Sequence, residues 1–349
     1  MKKVLKIIGI ILGIIILIPV LFVVYLRITM YSPDAEEQVD FNSGSQTVSA
    51  GDELSILTFN IGYAGYNKEE DFFMDGGEGV LPQSSDKVME NLSGIASVIN
   101  GEDCDIVFVQ EADIDSRRSY NNNEVAYLAS SIGKPSAFAC NYKVSFVPYP
   151  IPPIGKVYSG LVTYTGLNVG DAVRYALPDT APWYMSMGYL KRCLLVERIP
   201  VQDSDRELVL VNLHLEAYTD EEKRDMQMNV LCDLIDEEYA KGNYVIVGGD
   251  FNQEFEVNDN PPILSETGWL PGEIMLSDIP AGFKLAVADN VPSCRSLEEP
   301  FEDYESSQVY IIDGFVVSDN VEVQSVEVID RGFECSDHNP VRLEVRLRP

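Results

Sequence analysis

ELVLVNLHLE, residues 207–216, is an apolar run that predicts a β-strand ending at His214. His338 is the chain's only other histidine, and it stands in the string SDHNP just before a second strand-like run at 341–347. A third apolar run ends in GGDFN, residues 248–252. Catalytic groups collect on loops that are anchored on rigid strands. Three such strand ends in one chain therefore favour an active site over three unrelated polar residues.

Two further strand ends carry polar residues of the same kind. The run SILTFN ends at Asn60, and the run IVFVQE ends at Glu111. A carboxylate that follows an apolar strand is costly to desolvate unless a cation or a hydrogen-bond donor meets it. The hard oxygen ligands Glu111, Asp337 and Asn60 suit Mg²⁺ or Mn²⁺, and Ca²⁺ is also compatible with them.

The order of predicted elements indicates a layered α/β fold. A helix is expected over 86–100, and a second one opens at the capping-box string TDEE, residues 219–222, and ends at Ala240. The predicted strands are 53–59, 105–109, 160–165, 193–199, 207–213, 244–249, 309–318, 321–329 and 341–347. Many strands with a few long helices packed on them are typical of one layered domain.

The N-terminal segment predicts a membrane anchor. Residues 7–26 are free of charge, and a helix of that length spans about 30 Å, the hydrocarbon thickness of a bilayer. Lys2, Lys3 and Lys6 precede it, so the positive-inside rule places the N-terminus in the cytoplasm and the rest of the chain outside the cell. A cleaved signal peptide is the alternative, but its apolar region is shorter and small residues follow it closely. The nearest plausible cleavage position, after Ala50, is far from Leu26.

These patterns divide the chain into an anchor over 1–28, a polar tether over 29–52 and a catalytic domain over 53–349. Beyond the anchor the chain has 21 basic against 56 acidic residues, a formal net charge of −35. Phosphate backbones are held mainly by lysine and arginine, so this charge disfavours nonspecific binding of nucleic acid. It is compatible with an enzyme that recruits divalent cations.

Several segments leave alternatives open. The apolar, proline-rich stretch 146–154 is incompatible with a central strand and is either a membrane-touching or substrate-shaping loop or an ordered surface loop. Arg192 precedes a strand and either meets a substrate phosphate or forms a surface salt bridge. The six cysteines lack the spacing of a zinc site, and an external location would permit disulfides that sequence cannot assign.

Six short strings occur in the order of a known family. They are TFN ending at 60, VQE ending at 111, NLHL over 212–215, GDFN over 249–252, IDG over 312–314 and SDH over 336–338. In this order the chain resembles the endonuclease/exonuclease/phosphatase superfamily. These metal-dependent phosphoesterases include pancreatic-type deoxyribonuclease, abasic-site endonucleases, neutral sphingomyelinases and inositol polyphosphate 5-phosphatases. The resemblance implies a four-layer α/β/β/α sandwich of two packed mixed β-sheets, with the active site at one end of the sheets.

The resemblance also implies roles for individual residues. Glu111 would be the principal metal ligand, aided by Asn60 and Asp337. Asp250 and Asn252 would position the attacking water, and His338, oriented by Asp313, would stabilise or protonate the phosphoryl group. His214 matches a second histidine of the deoxyribonuclease, sphingomyelinase and inositol phosphatase branches, which disfavours abasic-site repair. The resemblance thus implies a metal-binding or catalytic role for eight residues: Asn60, Glu111, His214, Asp250, Asn252, Asp313, Asp337 and His338.

The sequence therefore predicts a phosphoesterase that depends on Mg²⁺, with Mn²⁺ as the alternative cation, on the outer face of the cell membrane. The expected substrate is a phosphate ester: a lipid head group, a small phosphodiester or a nucleic acid. An extracellular nuclease is the main alternative, and a binding module of the same fold without turnover is a second. Retention of both the Asp313/His338 and Asp250/Asn252 pairs disfavours a module without chemistry. The sequence indicates no protein partner.

Overall fold

The computed structural model describes residues 2–257, 260–264 and 269–349. Over these ranges the α-helices are α1 (Lys2–Thr29), α2 (Ser85–Glu102), α3 (Glu124–Ile132) and α4 (Glu221–Ala240). Short 3₁₀ turns lie at Gly62–Ala64, Ser186–Gly188 and Leu276–Asp278. The strands are β1 (Glu36–Gln38), β2 (Val48–Ser49), β3 (Glu53–Asn60), β4 (Ile106–Asp113), β5 (Ser136–Val147), β6 (Gly155–Thr165), β7 (Asp171–Ala176), β8 (Cys193–Gln202), β9 (Glu207–His214), β10 (Tyr244–Asp250), β11 (Gln253–Phe255), β12 (Gly272–Ile274), β13 (Phe283–Ala286), β14 (Cys294–Arg295), β15 (Val309–Tyr310), β16 (Asp313–Ser318), β17 (Val321–Val328) and β18 (Val341–Leu347).

Two large mixed sheets dominate the described ranges. The first sheet has the strand order β1-β7-β8-β9-β10-β16-β13, and β2 pairs with β8 beside it. The second sheet has the order β17-β18-β3-β4-β6-β5. Each sheet contains a parallel pair among antiparallel ones: β9 with β10 in the first sheet, and β3 with β4 in the second. In the pairs β9/β10 and β3/β4, the carboxyl ends of the strands carry the polar residues that were predicted from the sequence to form the site.

The two sheets pack face to face, and helices cover their outer faces. Side chains such as Phe108 of β4 and Ile246 of β10 share one core between the sheets. Leu231 and Ile235 of α4 pack on the outer face of the first sheet. Residues of α2 and Leu128 of α3 cover the second sheet in the same way. The predicted α/β fold with two packed mixed sheets is confirmed, because burying one face of each sheet against the other leaves two outer faces for helices.

The start of α4 differs by one residue from the sequence expectation. The capping residue is Asp220, whose side chain accepts a hydrogen bond from the backbone nitrogen of Lys223 at 3.1 Å. The helix therefore begins at Glu221. Aspartate is as good an N-cap as threonine, and the predicted box had placed the cap on Thr219.

The segment 29–52, predicted as a tether, is attached to the first sheet at two places. Glu36–Gln38 pairs with β7, and Val48–Ser49 pairs with β8. Val48 is fully buried between the two sheets. Polar composition had suggested a free linker, but two short backbone pairings and one buried valine hold this segment on the domain.

The N-terminal segment forms the helix α1, whose side chains are exposed along nearly its whole length. Among the described residues α1 is the one helix long and apolar enough to cross a membrane. All six cysteines are free in the described part of the chain.

Candidate active site

Three neighbouring strands of the first sheet carry a row of catalytic-type side chains. The register pairs Asp250 at the end of β10 with His214 on β9 and with Asp313 on β16. At this row β9 and β10 lie so close together that a Cβ on Gly249 would be 2.0 Å from the carbonyl oxygen of Leu213. Only glycine fits at that position, and it lets Asp250 leave the strand beside His214.

Asp250 is buried and receives hydrogen bonds from both sheets. Asn60 of the second sheet donates from Nδ2 to its Oδ2 at 2.9 Å, and the Asn252 backbone nitrogen donates to its Oδ1 at 2.8 Å. The Nε2 atom of His214 lies 3.3 Å from Oδ2. Burial, with a further contribution from Asp313, raises the pKa of Asp250 to about 7. This carboxyl is therefore poised to exchange a proton near neutral pH.

His338 is held by a hydrogen bond to Asp313, and Ser293 in turn holds the same Asp313 oxygen. Its Nδ1 lies 2.8 Å from Oδ2 of Asp313, and Ser293 Oγ donates to the same oxygen at 2.8 Å. Burial alone would lower the pKa of His338, but Asp313 and Cys294 outweigh burial and raise it well above 6.5. The imidazole is therefore cationic at neutral pH, and its Nε2 lies 3.5 Å from Cys294 Sγ and 3.8 Å from Asp250 Oδ2.

His214 has the opposite protonation state. Burial, followed by the positive charges of Arg192, His338 and Arg118, lowers the pKa of His214 well below 6.5. A neutral ring that donates from Nε2 to Asp250 leaves Nδ1 as an acceptor. Nδ1 is buried and has no hydrogen-bond partner in the described residues. Two histidines of one site thus differ in charge because their neighbours differ in charge.

Glu111 and Asp337 bring two carboxylates to the same end of the second sheet. A β-bulge in the pairing of β4 with β6 lies between Val109 and Ala112, and Glu111 within it has φ of 57°. Bulges re-aim side chains in this way. Burial, together with the charge of Glu111 and despite His338, raises the pKa of Asp337 to about 6. Two acidic side chains that line one cleft, of which one raises the pKa of the other, fit a divalent cation.

Asn60 does not offer its oxygen to that cleft. Its Oδ1 accepts a hydrogen bond from the Gly62 backbone nitrogen at 3.0 Å, which fixes the orientation of the amide. Its Nδ2 faces Asp250 at 2.9 Å and Glu111 Oε1 at 3.5 Å. In this geometry the amide nitrogen of Asn60 faces both carboxylates, and the role of Asn60 as a metal ligand stays a prediction.

A second group of candidate metal ligands overlaps the His338 pair. Ligand atoms of Asp250, Asp313 and His338 lie within 4.8 Å of one another. The Asp313 oxygen and the His338 Nδ1 of this group already hydrogen-bond to each other. Carboxylates without such a mutual bond, Glu111 and Asp337, are the better place for a cation.

Arg192 is a buried cation with unused hydrogen-bond donors. Its Nε and Nη1 have no hydrogen-bond partner among the described residues, and Nε lies 3.7 Å from Glu216 Oε2. Arg118, which the sequence did not single out, lines the same cleft. It pairs with Asp113 at 3.0 Å, and its guanidinium lies 3.8 Å from the centre of the Tyr63 ring.

Most of the chain matches one known protein family. Residues 57–338 match the model of the Endonuclease/Exonuclease/phosphatase family. The chain belongs to that family. No curated protein is similar enough in sequence to match the chain.

Solved structures are similar in fold at low sequence identity. An endonuclease/exonuclease/phosphatase from Beutenbergia cavernae has a TM-score of 0.57 at 19% identity, over 85% of this chain and 72% of that one. An endonuclease/exonuclease/phosphatase from Bacteroides vulgatus has a TM-score of 0.54 at 18% identity, over 85% and 100%. A humanized TDP2 of D. rerio has a TM-score of 0.52 at 16% identity, over 84% and 99%. At such identities these likenesses show the fold alone.

The structure brings the family motifs of this chain into one cleft of about 610 Å³. The predicted site residues that line it are Asn60, Glu111, Arg192, His214, Asp250, Asn252, Asp337 and His338. Asp313 stands behind His338 and contacts its ring. Ser293, Cys294 and Arg118 were missed, because their positions become meaningful only through the fold: no strand end or spacing marks them in the sequence.

Proposed function

We propose that the protein is a Mg²⁺-dependent phosphoesterase, with Mn²⁺ able to replace Mg²⁺, that hydrolyses phosphodiesters or phosphomonoesters at the outer face of a membrane. The observation that carries the proposal is the bond between Asn60 and Asp250, 2.9 Å across the two sheets. It joins the carboxylate end of the second sheet to the Asp–His row of the first. Membership of the family supports phosphoester hydrolysis as the reaction class.

Glu111 and Asp337 are the residues that would hold the cation. When bound, a divalent cation neutralises charge on the non-bridging oxygens of the phosphate. Asn60 keeps both Glu111 and Asp250 in place through its amide nitrogen. The carboxylate oxygens of Glu111 and Asp337 are ligands of the type that Mg²⁺ prefers.

Two cationic side chains that line the same cleft supply positive charge. Cationic His338 and the unused donors of Arg192 would bind the phosphoryl oxygens, where negative charge grows during attack. Asp313 and Ser293 fix the His338 ring so that Nε2 remains directed into the cleft. Preorganised donors in a buried site stabilise developing charge without reorganising.

Asp250 is the group that would accept a proton from the attacking water. Its pKa of about 7 suits a general base at neutral pH. The water oxygen would bond to phosphorus as Asp250 takes its proton, the P–O ester bond would break, and the departing oxygen would take up a proton from cationic His338. Asn252 fixes the loop that holds Asp250, since its Nδ2 donates to the Leu215 carbonyl oxygen at 2.9 Å.

Membrane attachment is part of the proposal and rests on α1. We infer an anchor over 1–28, a cytoplasmic N-terminus and an extracytoplasmic catalytic domain over 53–349. The charge-free run 7–26 and the lysines before it support this placement. A nuclease on DNA or RNA is the alternative substrate class, and the net charge of −35 beyond the anchor opposes it.

A substrate panel tests the proposed function. Purified full-length chain in detergent would be assayed on bis-p-nitrophenyl phosphate, p-nitrophenyl phosphate, DNA and sphingomyelin, each with and without Mg²⁺. Hydrolysis of at least one ester that requires Mg²⁺ and is lost in Asp250→Asn is expected. Absence of turnover on every substrate would contradict the proposal and favour a binding module.

A further inference from the structure

The active-site cleft extends from the catalytic carboxylates to the membrane helix. Its deep end is polar, with Glu111, Asp250 and Asp337. Its outer part is walled by aromatic rings and methionines, and Leu26 of α1 lines it. One continuous cavity thus connects the phosphate chemistry to the end of the candidate membrane span.

The position of Leu26 along α1 sets the level of the cleft relative to a bilayer. Leu26 is the last residue of the charge-free run, and Arg27 follows it. One turn deeper, Phe22 contacts Phe146 edge to face, with ring centroids 6.2 Å apart. Four residues of helix correspond to about 6 Å, so Phe146 lies just below the level at which α1 leaves the hydrocarbon. The cleft mouth therefore lies where lipid head groups meet acyl chains.

Backbone pairing and side-chain contacts attach the chain that follows α1 to the domain. The pairing of Glu36–Gln38 with β7 begins seven residues after the last residue of α1. Between them Tyr31 donates a hydrogen bond to Glu37 Oε2 at 3.2 Å and lies against Lys143. These contacts hold the cleft beside α1.

Exposed apolar side chains surround the mouth of the cleft. Ile151 in the loop between β5 and β6 is 92% exposed, and Trp183 is 81% exposed. Tyr149 and Tyr184, next to them in sequence, line the cleft and are also exposed. Tryptophan and tyrosine are enriched at membrane interfaces, and large apolar side chains grouped on a surface mark a contact with a membrane or another molecule. We call Ile151 and Trp183 the rim residues.

We propose that the substrate is a phospholipid of the same membrane that holds α1, with its phosphate ester at the catalytic carboxylates and its apolar part along the outer wall of the cleft. This inference rests on the proposed phosphoesterase activity. A phosphate site that continues into an apolar wall suits an amphiphile. It does not suit a polyanion, which needs a track of cations along its backbone. Hydrolysis adds the elements of water across one P–O ester bond and releases an alcohol and a phosphate ester.

Selective loss of lipid hydrolysis tests the inference. Full-length chain would be reconstituted into phosphatidylcholine–phosphatidylglycerol vesicles with Mg²⁺, and released phosphate esters or alcohols would be measured beside hydrolysis of soluble bis-p-nitrophenyl phosphate. The double variant Ile151→Ser/Trp183→Ser changes rim residues that do not line the cleft. It should lower lipid hydrolysis about tenfold and leave the soluble ester within twofold. Leu276→Ser, an exposed leucine away from the cleft, is the matched control and should change neither rate.

Fluorescence provides a second readout that does not depend on turnover. The chain has two tryptophans, so Trp269→Phe leaves Trp183 as the only one. Lipids brominated near the head group should quench its emission in vesicles, and a brominated water-soluble quencher should be less effective.

The outcomes separate this inference from the proposed function. Hydrolysis of the soluble ester without hydrolysis of either lipid overturns the lipid substrate alone. So does hydrolysis of DNA with the lipids untouched. Equal lipid rates in wild type and rim variant, or a Trp183 that lipid bromines do not quench, overturn the contact of the rim residues with the membrane on which the inference rests. Absence of hydrolysis of all esters overturns both proposals.

Discussion

Charge at single residues distinguishes the two histidines of the cleft. His338 contacts Asp313 and is cationic at neutral pH, whereas His214 lies among Arg192, Arg118 and His338 and is neutral. The same imidazole therefore offers a proton donor at one position and an acceptor at the other. This pairing agrees with a site that must bind an anion and hold a water at once.

Removal of either central group should abolish turnover. We expect His338→Ala and Asp250→Asn each to lower kcat on the order of 10³-fold or more, the loss typical when a preorganised transition-state contact is deleted. Far-ultraviolet circular dichroism should remain unchanged. Asp236→Asn, an exposed acid on α4, serves as the control. Near-normal turnover in either site variant would show that these residues do not have the assigned roles.

The cation is tested at Glu111. EDTA should eliminate activity, and Mg²⁺ or Mn²⁺ should restore it. Glu111→Gln should raise the metal concentration needed for half activity more than it alters KM, because it removes charge from the site and leaves the shape intact. Mg²⁺ should also raise the Tm of the wild type, since a ligand that binds only the folded state stabilises it. Full activity in exhaustive chelator, or a Tm that ignores millimolar Mg²⁺, would remove the metal site.

The buried carboxyl of Glu197, which does not line the active-site cleft, makes the free energy of unfolding depend on pH. Glu197 of β8 is fully buried beside Thr163, and burial raises its pKa to about 8 from 4.5. Between these values the folded chain binds a proton that the unfolded chain has lost, so stability falls as pH rises through this window. The slope for one group is about 1.4 kcal/mol per pH unit.

Glu197→Gln should therefore stabilise the protein at high pH. We expect little difference from the wild type near pH 4.5 and a gain on the order of 3 kcal/mol near pH 7. Denaturant unfolding of the detergent-solubilised chain at several pH values measures this. A gain that is the same at pH 5 and pH 8 would show that Glu197 does not titrate as burial implies.

At the scale of elements, strands with a strong apolar pattern were predictable and short or polar ones were not. The strand 341–347 has the predicted bounds, and strands end at Asn60, His214 and Asp250 within one residue of the predicted ends. Glu111 was predicted to follow a strand, but it lies in a bulge inside β4, which continues to Asp113. The run 309–318 was predicted as one strand, but it divides into β15 and β16. In the middle of this run, the carbonyl oxygens of Ile311 and Ile312 accept hydrogen bonds from the backbone nitrogens of Phe255 and Phe251, respectively, instead of pairing with a neighbouring strand of the sheet.

Other elements lacked any signal that sequence reasoning uses. β5 was missed because polar residues interrupt it, and α3 because it is only nine residues long. The positions of Ser293 and Arg118 in the site depend on contacts between distant parts of the chain. Periodicity within a segment carries no information about such contacts.

A polar contact beneath the site joins the two sheets. Asn212 of β9 donates from Nδ2 to the carbonyl oxygens of Val162 at 3.0 Å and Val109 at 3.3 Å. Its Oδ1 accepts from Gln110 Nε2 at 2.8 Å. All of these atoms are buried, so loss of the amide leaves several groups without partners.

Asn212→Ala should consequently destabilise the protein by about 2–4 kcal/mol. The exposed Asn100, which donates to the Ser131 carbonyl oxygen at 3.2 Å, is the matched control, and Asn100→Ala should cost about 0.5 kcal/mol or less. Thermal unfolding of the two variants in the same detergent gives the comparison. Equal losses would mean that the link between the sheets adds nothing to stability.

At the scale of the whole molecule, charge and apolar surface are separated. Acidic residues outnumber basic ones beyond residue 28, while many large exposed apolar side chains lie on α1 and beside the cleft mouth, and a smaller group, which includes Leu276, lies elsewhere. An acidic domain stays soluble by charge repulsion, and an apolar helix with an apolar rim gives it one face for a bilayer.

The anchor itself is the last prediction. The intact protein should fractionate with membranes and resist carbonate extraction, and protease added to intact cells should digest the domain. Cleavage after Ala50 would remove β1 and β2 from the first sheet, including buried Val48, so a secreted product would lose contacts that the domain uses. A chain with Lys2, Lys3 and Lys6 replaced by glutamine should insert with less uniform orientation, because these residues set the cytoplasmic end. Recovery of a soluble, active chain beginning near Gly51 would contradict both the anchor and the structural role of the 29–52 segment.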